Sequence, residues 1–202
     1  MKKRLCITAL CLLAGLAQAQ EWAPGNSDWS ALPAIKQSKQ GLYLTPQQAL
    51  EMVQRDGQKV LFLDVRTRAE AMYVGMPTVV DALTPYVEHQ EIMADWDDKR
   101  GMYLLEPNID FPHEVARRLA AKGLDKQSPI ILICRSGDRS AKAADLLALH
   151  GHTRVYSIPQ GFEGDMGKTG ASNGRRAVNG WKNANLPWSY KLDKARMYFP
   201  AQ

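Results

Sequence analysis

Cysteine is scarce in this chain. There are three in 202 residues, and two of them, Cys6 and Cys11, fall in a segment that reads as a removable leader. Lys2, Lys3 and Arg4 form a basic start, Leu5 to Leu16 an apolar stretch, and Ala17-Gln18-Ala19 an A-x-A cleavage site. The pattern predicts a signal peptide over residues 1–19, a mature chain starting at Gln20 and the periplasm as destination. The apolar stretch falls short of the roughly 20 residues of a membrane-spanning helix, and Thr8-Ala9-Leu10 ahead of Cys11 is a poor lipidation site. Cleavage leaves Cys134 as the single thiol, which excludes an internal disulfide framework. That thiol is then either an inert packing residue or a reactive one.

Other things are missing too. Net charge is +5 and falls to +2 once Lys2, Lys3 and Arg4 are removed. That is too little to imply nucleic acid or an acidic membrane surface as a partner. Histidine is limited to His89, His113, His150 and His152, and none is placed by sequence as an imidazole partner for the thiol. No Cys/His/Asp spacing matches a metal site, and Asp95, Asp97 and Asp98 lack the Gly and Glu of a calcium loop. Gly167-Lys168-Thr169 mimics part of a phosphate loop, but the required Gly five places before Gly167 is Phe162. There is no internal repeat and no low-complexity tract. No cofactor is implied.

The most informative stretch is residues 130–149, IILICRSGDRSAKAADLLAL. The β-branched run Ile130 to Ile133 suits a strand buried on both faces. Cys134-Arg135-Ser136-Gly137-Asp138-Arg139 then reads as a tight turn, with Ser140 as N-cap of a helix over 141–149 whose apolar face holds Ala141, Ala144, Leu147 and Ala148. A thiol at the end of a buried strand and the start of a helix meets convergent backbone N–H groups and the positive end of the helix dipole. Both favour a thiolate, the nucleophilic form of cysteine.

The rest of the chain supplies partners for that unit. Residues 20–41, with Trp22, Trp29 and Pro33, read as an irregular arm that anchors to the domain or docks a partner. Leu42 to Leu44 reads as a short strand. Thr45 caps a helix to about Asp56, with Pro46 in its first turn, Gln48 completing a capping box and Gly57 as its stop. Lys59 to Val65 reads as a buried strand, Arg68 to Met72 as a short helix, Val79-Val80 as a brief strand, Phe111 to Ala121 as a helix and Val155 to Ile158 as the last core strand. Such alternation predicts an α/β domain with a mainly parallel sheet, whose sites sit at the carboxyl ends of strands. Residues 84–110 show no sustained period and read as a flap near the site or a surface excursion. Residues 166–176 are Gly-rich and polar and read as a mobile loop. The tail, 191–202, carries no pattern that decides its structure.

Four segments in order, LDVRTRAE at 63–70, CRSGDRS at 134–140, GFEGD at 161–165 and GWKNANLPW at 180–188, resemble the single-domain rhodaneses. The resemblance covers roughly residues 42–190. It implies a three-layer α/β domain with a mainly parallel central sheet flanked by helices. It also implies that Cys134 takes a sulfane sulfur from a donor as a persulfide and hands it to a thiophile. The implied partners are a small anionic sulfur donor such as thiosulfate, and an acceptor that is a thiol or cyanide-like, including a protein thiol. Residues Arg135, Ser136, Gly137, Asp138, Arg139 and Ser140 would line the sulfur site. Loop spacing agrees: the basic residue follows the cysteine as C-x4-R, one position tighter than the C-x5-R of cysteine phosphatases.

Each flanking residue admits two readings. Arg135 either draws an anionic donor or is structural, and the family pattern favours the former. Arg139 either binds substrate or pairs with Asp64 or Asp138. Asp64 and Arg66 read as an ion pair supporting the floor of the site. Phe162 is a pocket wall or a core residue. For the chain as a whole, the alternative to a turning-over sulfurtransferase is a periplasmic persulfide carrier or protein-binding module.

Overall fold

The computed structural model describes residues 28–200; the leader and Trp22 lie outside the described residues. Four parallel strands build the central sheet: β1 (Leu61–Asp64), β2 (Ala82–Leu83), β3 (Ile130–Ile133) and β4 (Val155–Ser157), in the order β2-β1-β3-β4. Every residue of β1 and β3 is buried, because helices cover both faces. Side chains alternate across the sheet with period two. Phe62, Ile131 and Ile133 join one core, with Ala49, Met52, Ala71, Phe162 and Trp181. Leu61, Leu63, Ile130 and Leu132 join the other, with Phe111, Val115, Ala143 and Leu147. Hence the unbroken apolar runs in the sequence, and hence the three layers.

The helices are α1 (Pro46–Asp56), α2 (Arg68–Val74), α3 (Phe111–Ala121) and α4 (Asp138–Leu149). Helix α1 carries the expected capping box, Thr45 Oγ1 accepting from the Gln48 N–H while Gln48 Oε1 accepts from the Thr45 N–H. Gly57 does not stop it in a left-handed conformation; the backbone stays helical there and tightens into a 3-10 turn, Gly57–Lys59.

Several expected boundaries move. The strand expected at Val79-Val80 forms at Ala82–Leu83, where the backbone can reach β1 in register, Leu63 beside Ala82. Around Leu42 to Leu44 only Tyr43 pairs with the sheet, through Ser157. Helix α4 begins at Asp138, not Ala141. Its N-cap is Gly137 at φ 100°, a conformation that a Cβ would strain. Residues 166–176 carry isolated bridges between Met166 and Arg176 and between Gly167 and Asn173. Residues 84–110 have structure of their own, two antiparallel pairings: Val87–His89 with Leu105–Pro107, and Trp96–Asp97 with Met102–Tyr103.

Trp181 closes the core under the site. It is fully buried, its ring lies 5.6 Å from Phe62, and its Nε1–H donates to Pro187 O at 2.9 Å. Trp181→Ala should cost about 3–5 kcal/mol, read as a lower urea midpoint at an unchanged slope. A loss below about 1 kcal/mol would show that the indole is not part of the packed core.

Candidate active site

Strand β3 delivers Cys134 to the carboxyl edge of the sheet, fully buried. The Gly137 N–H donates to its Sγ at 3.1 Å. The thiol faces Ser140 Oγ at 3.5 Å and Asp138 Oδ1 at 3.9 Å. Ser140 is therefore not an N-cap. It sits in the first turn of α4, donates to Gly137 O at 3.1 Å and meets Ser157 Oγ at 2.9 Å. With α4 starting at Asp138, the loop proper is only Cys134 to Gly137.

The loop is held from outside. Phe162, Glu163 and Gly164 donate their backbone N–H groups to the carbonyls of Cys134 (2.7 Å) and Arg135 (3.0 and 3.2 Å). Phe162 is fully buried in the core. Its ring carries the Arg66 guanidinium 4.0 Å from the centroid, so it does not face the pocket. Arg66 chelates Asp64 with Nε and Nη2 at 2.6–3.1 Å, both side chains fully buried. Its Nη2 also donates to Gly75 O at 2.7 Å. Burial works most strongly against the Arg66 charge, but Asp64, with Glu70 and Glu163, together outweigh it and hold the pKa above its usual value.

Arg139 pairs with neither Asp64 nor Asp138. Asp64 is already occupied by Arg66, and Arg139 instead forms a two-pronged bridge to Glu70 at 2.7 and 2.6 Å. Glu70 is the third residue of α2, where it also accepts the Thr67 N–H at 2.9 Å in a second capping box. Burial alone would raise the Glu70 carboxyl; the hydrogen bonds and charge of Arg139, with help from Thr67 and Arg66, bring it down to about 2. The Thr-x-x-Glu spacing at 67–70 was a sequence signal for this placement, the same one that marks α1.

Above the loop lies a pocket of about 230 Å³. Arg135, Asp138 and Arg139 line it from the cysteine side, Thr67 and Glu70 from α2. The remaining wall is His89, Arg100, Met102 and Leu105, all from residues 84–110. Of the two readings of that segment, the structure gives the wall of this pocket. Cys134 lies one side chain below it, behind Asp138. The Arg135 Nε and the His89 Nδ1 are buried without a hydrogen-bond partner among the described residues. Arg176, not singled out by sequence, donates to Gly164 O at 2.6 Å; burial and the nearby Arg135 charge push its pKa down. The His89 and Arg100 placements had one faint signal, a hairpin turn 98–101 ending in Gly101 at φ 63° between the facing aromatics Trp96 and Tyr103.

Comparison with known proteins is consistent across sequence and fold. The family model described as a rhodanese-like domain matches residues 45–167. An uncharacterized protein of Rickettsia rickettsii, the RP600 homolog, is 31% identical over 130 residues, covering 63% of this chain and 81% of that protein. The crystal structure of Rv0390 from M. tuberculosis aligns with a TM-score of 0.54 and 29% identity, over 73% of this chain and 96% of that one. The solution structure of a polysulfide-sulfur transferase homodimer from Wolinella succinogenes aligns at 19% identity and a TM-score of 0.45, over 80% of this chain and 85% of that one.

The Glu70 carboxyl is depressed from 4.5 to about 2. Its contribution to stability is therefore full above pH 4.5 and lost as pH falls toward 2. Urea unfolding across that window should lose stability on the order of 3 kcal/mol more in the wild type than in Glu70→Gln, with the variant already less stable at neutral pH. Parallel pH profiles for the two proteins would refute the bridge.

Proposed function

The chain belongs to the rhodanese-like domain family, and from that premise we propose that it is a sulfurtransferase that works through a Cys134 persulfide and acts in the periplasm. The observation that carries this reading is the 3.1 Å contact from the Gly137 N–H to Cys134 Sγ directly beneath an arginine-lined pocket. A backbone donor there stabilises sulfur as an anion without further reorganisation. The thiol proton leaves by way of Asp138, which faces Sγ at 3.9 Å and lines the pocket. The thiolate attacks the outer sulfur of thiosulfate; the donor S–S bond breaks and sulfite departs with its electron pair. The Cys134 persulfide that results is attacked by an acceptor, cyanide in the test tube or a thiol in the cell, and the thiolate is restored. Arg135, whose Nε has no internal partner, orients the anionic donor. Arg139 keeps Glu70 neutralised and the wall in place.

A second reading, a persulfide carrier that docks a protein rather than turning over, is favoured by the complete burial of Cys134, which shields a loaded sulfur from solvent. Catalytic turnover separates the two. Residues 20–202 and the Cys134→Ser variant are incubated with thiosulfate, freed of excess and weighed intact, and are assayed separately with thiosulfate and cyanide both in excess. The enzyme should gain one sulfur, release thiocyanate over many cycles and do neither as Cys134→Ser. Loading with a single discharge would select the carrier. An unmodified Cys134 with thiosulfate and with polysulfide would overturn both.

A further inference from the structure

The wall contributed by residues 84–110 is chemically different from the loop beneath it. Around the pocket stand three arginines and one histidine, but they are not equally available. Arg139 is committed to Glu70 through two short hydrogen bonds. Arg100 has only a loose ion pair, 3.7 Å from Nε to Asp97 Oδ2, on a side chain about half exposed. His89 touches Thr67 Oγ1 at 3.5 Å through Nε2, and its Nδ1 is buried with no partner. Arg135 leaves Nε in the same condition. Unmet buried polar atoms cost free energy unless a ligand meets them. Met102 and Leu105 add an apolar flank between these groups.

We infer that His89 and Arg100, with Arg135, form a carboxylate subsite that selects the sulfur acceptor: a small organic thiol bearing a carboxylate a few carbons from its sulfur. This deepens, and rests on, the sulfurtransferase reading. The carboxylate accepts from the Arg100 guanidinium and from the His89 and Arg135 side chains that line the same pocket, the methylenes lie on Met102 and Leu105, and the sulfur points down toward the cysteine loop. In the transfer the acceptor thiolate forms a bond to the outer sulfur of the Cys134 persulfide. The bond between that sulfur and Sγ breaks, its pair stays on Sγ, and the acceptor leaves as its own persulfide. A pocket of about 230 Å³ is several times the ~30 Å³ share of one water, enough for such a molecule and ample for a single sulfur atom.

Binding isolates the subsite from the chemistry. In residues 20–202 carrying Cys134→Ser, which hold no cysteine and cannot form a disulfide or a persulfide, 3-mercaptopropionate and its neutral analogue 3-mercaptopropanol are titrated by calorimetry. The carboxylate should bind at least about tenfold more tightly, as expected for a charge-assisted contact. Arg100→Gln and His89→Ala in that background should each bring the ratio near unity, and Arg100→Lys should retain most of it. Arg100 is on an exposed turn, so its variants report binding and not folding. Equal affinities for the two thiols, or a ratio unmoved by both Arg100→Gln and His89→Ala, would overturn the subsite. Because no sulfur is transferred, the affinity ratio is independent of whether wild-type Cys134 loads with thiosulfate, which decides the parent reading.

Discussion

The site depends on a backbone-to-backbone clamp between the cysteine loop and the turn that follows the last sheet strand. Residues Phe162, Glu163 and Gly164 consume the carbonyls of Cys134 and Arg135. With the carbonyls turned outward, an amide is left facing inward, and Gly137 presents its N–H to the sulfur. The two segments can approach only because side chains are missing. A Cβ on Gly161 would lie 2.5 Å from the Arg135 backbone, and one on Gly137 would lie 2.2 Å from Pro159 O. Both glycines also have positive φ, 65° and 100°, so any other residue would be strained as well as crowded. The clamp is itself anchored: Trp181 and Lys182 donate their backbone N–H groups to Gly161 O and Phe162 O. The buried indole thus holds the turn that holds the loop.

Around this clamp the charges are sorted. Several arginines stand near one thiol, and two of them are neutralised internally. Arg66 is paired to Asp64 in full burial, where losing one partner would strand the other at a cost of about 3–5 kcal/mol. Arg139 is paired to Glu70. Those pairs contribute rigidity and little net field. The remaining positive charge near the loop lies on Arg135, Arg100 and Arg176, whose lowered pKa reflects burial first and then its proximity to Arg135. Under the proposed function, substrate attraction and scaffold integrity fall to different arginines, although all belong to the same residue type and lie close together.

Much of this was legible in the sequence, and the failures have physical causes. The buried strands, the capping box of α1, the span of α3 and the placement of Cys134 follow from local chemistry: β-branched runs, Thr-x-x-Gln and a strand–turn–helix pattern. The start of α4 is displaced from the expected position because Ser140 is a good N-cap in isolation. Here Gly137 takes that position, since its left-handed backbone fits beneath Pro159, and Ser140 is turned inward toward Ser157. The partner of Arg139 differs from expectation because Asp64 is closer in kind but already chelated. The wall formed by His89, Arg100, Met102 and Leu105 could not be read from periodicity. Its strands are two or three residues long, too short to alternate visibly, and only the tertiary placement of the hairpin brings those side chains together.

Register explains why all these parts meet at one edge. Asp64 pairs with Ile133 across the two middle strands, and the Val65 N–H donates to Ile133 O at 2.8 Å. Arg66 and Cys134 therefore leave the sheet at nearly the same level. The chain runs outward from β1 to β2 on one side and from β3 to β4 on the other, which opens the crevice between β1 and β3 where α/β sheets place ligands. Strand β2 ends at Leu83, on this same edge, and residues 84–110 begin there. An insertion at that point has to pass over the crevice before α3 can return along the sheet. Slipping β1 by one residue would exchange Leu63 and Asp64 between faces, carrying the Asp64–Arg66 pair away from the Phe162 ring it packs on. The loop that carries the thiol and the insertion that walls the pocket are thus both placed by the pairing of Asp64 with Ile133.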